Sequence, residues 1–352
     1  MRYTSCAALV LLILTIFVAC NKDNKKVLNE NNLTTQSFTI NADADTVIKG
    51  TSGTTLTIHA HIFVDSSGAI AHGAIVVELK EALKPIDIIL GGLTTMSDNK
   101  VLQTGGMLYV NATTLGKPLA IVTGQSIEVH VPADTIAKDM QLYTGVKADN
   151  HINWVSPQPL ATPIATEAEA AKQDTCCTTT NAEAIEPTGD EDSAGAVNNN
   201  EMQVFLVAAA NNAKGTNTFL QDVQATYIFS LKKLGWANID RLYADPRTQQ
   251  VVFTTSVKDA GNYDHIYTTL IIADSYIPGY QKKDNSFSFT HGDYEQPSLP
   301  VGANAVILAT TYKKGIAYYA IHKLQVTASQ EISLDLHPTD STGLKKILES
   351  EL

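Results

Sequence analysis

Apolar and polar residues alternate along most of the chain after its first 36 residues. Residues 54–63, for example, carry mostly aliphatic side chains at every second position, with threonine or histidine between them. Successive side chains of a β-strand point to opposite faces, so a period of two predicts a strand with one buried and one exposed face. This pattern excludes a chain made mainly of helices.

The same alternation recurs on both sides of a central region. It covers 74–79 and 126–131 before that region, and 202–209, 226–231, 250–256, 267–272, 305–309, 316–321 and 332–336 after it. Turn-forming residues separate the first strands at 66–68, 91–92, 105–106 and 115–118, at intervals typical of a sandwich. Capping residues at 338–341 precede apolar residues at helical spacing. The pattern predicts a mainly β fold: two antiparallel β-sandwich-like domains joined by a disordered linker, with a short C-terminal helix.

The N-terminus has the features of a bacterial lipoprotein signal. Arg2 precedes an apolar run over residues 6–19, which is shorter than the roughly 20 residues of a membrane-spanning helix and suits a signal peptide. The small Ala19 before Cys20 resembles a lipobox, in which the cysteine receives lipid. We therefore expect residues 1–19 to be removed, Cys20 to carry palmitate or a similar acyl chain, and the protein to lie at the cell envelope, in the outer membrane. An ordinary cleaved signal with an incidental cysteine is the alternative.

Composition divides the rest of the chain. Residues 20–36 are rich in Asn, Lys and Thr and suit a tether, and residues 37–156 form the predicted N-terminal β-sandwich. Residues 157–200 are rich in Pro, Ala, Thr and acidic groups, which predicts a disordered linker because few of them could offset the entropy of ordering. Residues 201–352 form the predicted C-terminal β domain with its terminal helix.

Charge and cysteine content narrow the function. The net charge is −11, and no run of Lys or Arg exceeds two residues, so nucleic-acid binding is disfavoured. Of the four cysteines, only the adjacent pair Cys176 and Cys177 remains after signal removal and lipidation. A disulfide framework and a Cys-x2-Cys zinc motif are therefore excluded. No cofactor is expected.

Several short motifs resemble those of a known family. They are 53–58 (Gly-Thr-Thr-Leu-Thr-Ile), 63–68, 76–81, 102–107 and the Leu-Gly-Trp-Ala-Asn-Ile-Asp-Arg element at 234–241. Through them the chain resembles a group of uncharacterised envelope lipoproteins of Gram-negative bacteria, whose N-terminal domain is similar to the ZU-type β-sandwich of ankyrins and netrin receptors. The segment from 59 to 61 departs from that group, which usually has Pro-Ala-Asn there, and Ile239 replaces a cysteine. The resemblance implies a fold and a location, and it brings no catalytic residues.

Histidines and aspartates offer candidate metal ligands. On a continuous strand, His59 and His61 would project from one face about 7 Å apart, and His72 or His130 could add ligands. The alternative, which we favour, is a solvent-exposed face that holds no metal. Residues 41–45 alternate oxygen ligands like the start of a calcium loop, but Thr46 stands where such a loop needs glycine, so we predict a turn there.

A second cluster combines Trp236, Asn238, Asp240 and Arg241, residue types that recognise sugars or peptides. The alternative, which we favour, is structural, with Trp236 in the core of the second domain and Asp240 and Arg241 fixing the following loop. No serine-hydrolase, zinc-protease or phosphate-loop motif occurs, and Cys176 and Cys177 lie in an acidic stretch that does not activate a thiol. We therefore predict a lipid-anchored, non-enzymatic binding or structural module of unknown ligand, with an envelope protein or glycan as the candidate partner. An envelope hydrolase acting on glycan or peptide is the alternative.

Overall fold

The computed structural model describes residues 26–148, 151–161, 225–263, 265–282, 284–289 and 297–351. The predicted mainly β fold is confirmed, as is the C-terminal helix. The described residues contain two α-helices, α1 (Pro85–Leu90) and α2 (Ser341–Glu351). The predicted strand at 202–209 and most of the predicted linker, 162–200, lie outside the described residues. The linker does not begin at residue 157 as predicted, because residues 157–159 end the paired strand His151–Pro159. Neither described helix is long and apolar enough to cross a membrane.

Fourteen strands of the described residues form the first β unit. They are β1 (Gln36–Asn41), β2 (Thr46–Lys49), β3 (Thr55–Ile58), β4 (Phe63–Val64), β5 (Ala74–Ala82), β6 (Met96–Ser97), β7 (Lys100–Thr114), β8 (Lys117–Pro118), β9 (Ala120–Ile121), β10 (Ile127–Pro132), β11 (Gln141–Ala148), β12 (His151–Pro159), β13 (Thr226–Leu231) and β14 (Gly235–Leu242).

Two main sheets of this unit enclose a core of aliphatic and aromatic side chains. The larger is ordered β1, β5, β7, β14, β11, β12, β6, with β8 on β7, and the smaller is ordered β13, β10, β3, β2. The short β6 pairs with both β12 and β7, so five strands of the larger sheet form a closed ring of pairings. The unit is therefore a sandwich whose larger sheet curls at one end.

In the part of the chain that the structure describes, eleven strands form the second unit. They are β15 (Thr248–Gln250), β16 (Val252–Val257), β17 (Ile266–Ile272), β18 (Ser275–Pro278), β19 (Tyr280–Gln281), β20 (Ser286–Ser288), β21 (Ser298–Pro300), β22 (Asn304–Lys313), β23 (Ile316–Gln325), β24 (Ser329–Leu334) and β25 (His337–Thr339). A sheet ordered β19, β20, β16, β24 and a sheet ordered β18, β17, β22, β23, β25 share a second core, and β15 pairs with β21. The β16–β24 pairing is parallel, unlike most others.

The division between the units differs from the predicted boundary at residue 201. Strand β13 pairs with β10 along its whole length, and β14 lies between β7 and β11. Residues 226–242 therefore complete the first sandwich rather than open the second. Alternation identifies a segment as a strand, but it does not identify the strand's partner.

Two local predictions also differ from the structure. The turn predicted at 105–106 is absent, because β7 runs through both glycines. Gly106 has φ 136°, and the register of the pairing between β7 and β14 shifts between Ile239 and Asp240. This is a β-bulge, which glycine makes possible. The predicted tether is not free over residues 26–36, because Val27 and Leu33 are buried.

A third core joins the two units, and we call it the junction core. It consists of Val27, Leu33, Ala82, Ile88, Ile89, Leu93, Leu102, Met107, Tyr143, Trp154, Trp236, Ile271, Tyr276, Leu308, Ala317, Leu344 and Leu348. Backbone hydrogen bonds reinforce it, from Thr95 N–H to Tyr276 (2.9 Å) and from Thr104 N–H to Asp274 (3.0 Å). The units are therefore packed against one another, since the residue before β6 bonds to Tyr276 of β18 and Thr104 of β7 bonds to the residue before β18.

Candidate functional site

The residues predicted as a ligand-binding cluster on β14 do not share an exposed surface in the described part of the chain. Trp236 is 8% exposed, packs on Tyr109 with ring centroids 5.4 Å apart, and donates from Nε1 to Glu30 at 3.2 Å. Arg241 donates to the Gln103 side chain at 2.8 Å. The indole is buried, but it lies in the junction core and not in the core of the second unit, where the structural interpretation expected it.

Asn238 and Asp240 form a buried polar pair beside that core. Both are fully buried, Asn238 Nδ2 donates to Asp240 Oδ2 at 2.6 Å, and Thr104 Oγ1 donates to Asn238 Oδ1 at 2.8 Å. Asp240 Oδ1 has no hydrogen-bond partner among the described residues. Burial raises the pKa of Asp240 well above its ordinary value, and the hydrogen bond from Asn238 opposes that rise. The pair therefore lies where a soluble ligand has no access.

His59 and His61 do not project from one strand face. Strand β3 ends at Ile58, and the chain turns at residues 60–61, where His61 has a left-handed φ of 59°. Its Nδ1 lies 3.4 Å from Asp43, whereas His59 Nδ1 lies 3.4 Å from Asp45. The expectation of a continuous strand over 54–63 is wrong at this point, because the turn redirects one imidazole.

The turn instead brings three residues from separate loops together. Potential ligand atoms of Asp43, His61 and His72 all lie within 4.8 Å of one another. Asp43 Oδ1 is 2.6 Å from His72 Nδ1, and the two imidazole rings meet edge to face at 5.6 Å. His130 lies apart from them and pairs with Glu128 at 2.7 Å. The sequence pointed to individual members of this group, but it did not indicate which would meet.

A cleft of about 530 Å³ opens where the two units meet, and we call it the junction cleft. Its lining comes from the N-terminal segment, the loop after α1, the start of β12, and β17 to β19. The ring-bearing and basic side chains that line it are Lys26, His151, His265, Tyr267, Tyr276 and Tyr280. The described lining residues are otherwise aliphatic, glycine, proline, threonine or glutamine.

Aromatic and cationic groups meet on both walls of the junction cleft. Lys26 Nζ lies 4.9 Å from the centre of the Tyr267 ring, a cation–π geometry. The His151 ring of the first unit meets the Tyr280 ring of the second edge to face at 6.4 Å. Burial, together with the charge of Lys147, lowers the pKa of Lys26. Both effects disfavour the charged form of Lys26, and a nearby negative charge would oppose them.

One further polar group belongs to this lining. The hydroxyl of Thr268 is buried and has no hydrogen-bond partner in the described part of the chain. It lies close over Gly279, at a position that a β-carbon on residue 279 would occupy. No sequence pattern signalled the cleft, because its tyrosines lie in strands whose alternation indicates only burial.

A shallower groove of about 710 Å³ adjoins the cleft across Tyr276 and contains two carboxylates. Asp274 accepts from Gln103 Nε2 at 3.2 Å, and Glu351 pairs with Lys323 at 3.0 Å. Both carboxylates are thus engaged by neighbouring side chains.

No protein-family model matches the sequence, and no curated protein or solved structure is significantly similar to it.

Proposed function

We propose that the mature protein is anchored in the outer membrane through lipid on Cys20 and binds an acidic glycan in the junction cleft without altering it. The observation that carries this proposal is the pair of aromatic contacts across the cleft, Lys26 on Tyr267 and His151 on Tyr280. Tyrosine rings offer an apolar face to sugar C–H groups and a hydroxyl to their polar edges. The lysine and histidines supply the complement to acidic groups.

The position of the cleft along the chain supports a ligand at the membrane surface. Lys26 lines the cleft only six residues after Cys20. Six extended residues reach at most about 20 Å, so a lipid on Cys20 would hold the cleft close to the headgroups. The predicted long tether would have allowed a greater distance, but packing of Val27 shortens it.

Comparison with the hydrolase alternative favours binding. Hydrolysis of a glycosidic bond commonly uses two facing carboxyl groups about 5 to 10 Å apart. The described lining of the junction cleft is composed of basic, aromatic, hydroxyl, amide and aliphatic side chains instead. In the adjoining groove, the two carboxylates are held by Gln103 and Lys323.

The test is binding of labelled acidic oligosaccharides, released from the envelope, to the full mature chain in detergent. Tyr267→Ala and Tyr280→Ala should each weaken binding about tenfold, equivalent to about 1.4 kcal/mol for a lost stacking face. Tyr263→Ala is the matched control, because Lys313 lies 5.0 Å from the Tyr263 ring in the same kind of contact but outside the cleft.

Two outcomes would overturn the proposal. Equal affinities for the wild type and all three variants would remove the junction cleft as the binding site. Shortened oligosaccharides after incubation, detected by chromatography and mass spectrometry, would establish hydrolysis.

A further inference from the structure

Three loops meet at one edge of the first unit, away from the junction cleft. They are the β1–β2 turn, the turn after β3, and the segment before β5, which contribute Asp43, His61 and His72. From their convergence we propose that these three side chains form a Zn²⁺-binding site. The site is separate from the proposed function, because none of its residues lines the cleft.

The distances among the three side chains suit zinc after a small adjustment. Ligand atoms about 2.0 to 2.1 Å from a tetrahedral zinc ion are about 3.3 Å apart. The Asp43–His61 separation of 3.4 Å already matches this value, whereas the Asp43–His72 separation of 2.6 Å is a hydrogen bond that must open. All three ligand atoms lie within 4.8 Å of one another. Side-chain rotations that displace these atoms by about 1 to 2 Å therefore bring them to the separation that zinc requires.

The backbone around the site is fixed before any ion arrives. Asp43 Oδ2 accepts from Gly73 N–H at 2.9 Å, which leaves Oδ1 facing the histidines. Backbone bonds of 2.8 Å run from Ala42 N–H to Gly73 and from His61 N–H to Ala42, and they tie the three loops together. The ligands therefore do not depend on one flexible loop.

His61 is held in a conformation that ordinary residues avoid. Its φ of 59° lies in the left-handed region, where histidine, like asparagine and aspartate, occurs more often than other residues that carry a β-carbon. On a continuous strand its ring would lie beside that of His59. The turn directs it toward His72 instead, and the two rings meet at 5.6 Å. The turn at residues 60–61 therefore produces the His–Asp–His geometry.

The donor set selects the class of metal. Two imidazole nitrogens and one carboxylate oxygen suit zinc and its neighbours in the first transition series, whereas calcium and magnesium prefer oxygen ligands. The side chains of His61 and His72 are 52% and 68% exposed. A fourth coordination position is therefore open to water or to a side chain of another protein.

The experiment measures Zn²⁺ binding to the full mature chain by equilibrium dialysis and calorimetry in a buffer that does not chelate metal. Cys176→Ser and Cys177→Ser are introduced throughout, because thiols also bind zinc. We expect one zinc per chain, and visible absorption bands of tetrahedral Co²⁺ when cobalt replaces it. His72→Ala and Asp43→Asn should each weaken binding at least tenfold, since even residues that only orient metal ligands contribute about 10- to 100-fold.

His59→Ala is the matched control. His59 forms a similar histidine–aspartate pair with Asp45, at 3.4 Å in the same segment, but it is not part of the three-residue group. Its removal should leave zinc affinity unchanged, and circular dichroism should show all variants folded. Absence of stoichiometric zinc in the wild type, or equal loss of affinity in His59→Ala and His72→Ala, would overturn the site.

Discussion

Replacement of the buried Asp240 by asparagine tests how the fold tolerates an ionisable group beside the junction core. The pKa of Asp240 is raised by burial from its ordinary value of 3.8. In the unfolded chain the carboxyl ionises near that ordinary value, but in the folded protein it keeps its proton to higher pH. The raised pKa therefore leaves the free energy of unfolding unchanged below the unfolded pKa. It lowers that free energy increasingly as the pH rises toward the folded pKa.

The size of this pH dependence follows from the one proton that Asp240 binds in the folded state but not in the unfolded state. Each pH unit over which only the folded protein binds that proton lowers the free energy of unfolding by about 1.4 kcal/mol. Asp240→Asn has no such proton. Its amide nitrogen at the unpartnered Oδ1 position adds a constant penalty of about 1 to 3 kcal/mol. The stability of the variant relative to the wild type should therefore rise by about 1.4 kcal/mol per pH unit and level off at the folded pKa.

Urea unfolding at several pH values between about 4.5 and 7.5 measures this slope. Trp154 and Trp236, the two tryptophans of the chain, both lie in the junction core and report its unfolding by fluorescence. Asp139→Asn is the control, because Asp139 is exposed and its φ of 63° suits asparagine. A difference between Asp240→Asn and the wild type that stays constant across the pH range would refute the reasoning.

Three further outcomes are expected. Cys20→Ser should abolish metabolic palmitate labelling, because acylation requires the thiol; label retained by the variant would remove the proposed anchor. A protease specific for acidic residues should cut first between residues 157 and 200, as the composition predicts, yet the two fragments should co-elute in gel filtration because β13 and β14 complete the first sandwich. Early cuts within strands would contradict the linker prediction. Gly145→Ala should destabilise the protein by about 1 to 3 kcal/mol in thermal or urea unfolding. The new methyl group would lie 2.6 Å from Trp236 Cβ and 2.9 Å from the Trp154 ring, closer than packed atoms tolerate. Unchanged stability would show that the two tryptophans can move aside.

Local patterns determined which segments are strands. The alternation at 226–231 coincides with β13, and that at 316–321 begins β23 at the correct residue. The apolar spacing after residue 341 likewise gave helix α2. These predictions succeed because a period of two or 3.6 depends only on which side of an element is buried. The turn at 41–45 followed from residue types in the same way.

Partnership between distant segments was decided only by the tertiary structure. Asn238 lies beside Thr104, and Tyr276 packs where α1 and β7 meet the second unit, through contacts between residues far apart in the chain. The same holds for the groups that could act on a ligand, since the junction cleft and the Asp43–His61–His72 cluster each draw on several separate elements. Sequence periodicity records the burial of each side chain, whereas the neighbour that buries it depends on strand order, register and turns such as the one at His61.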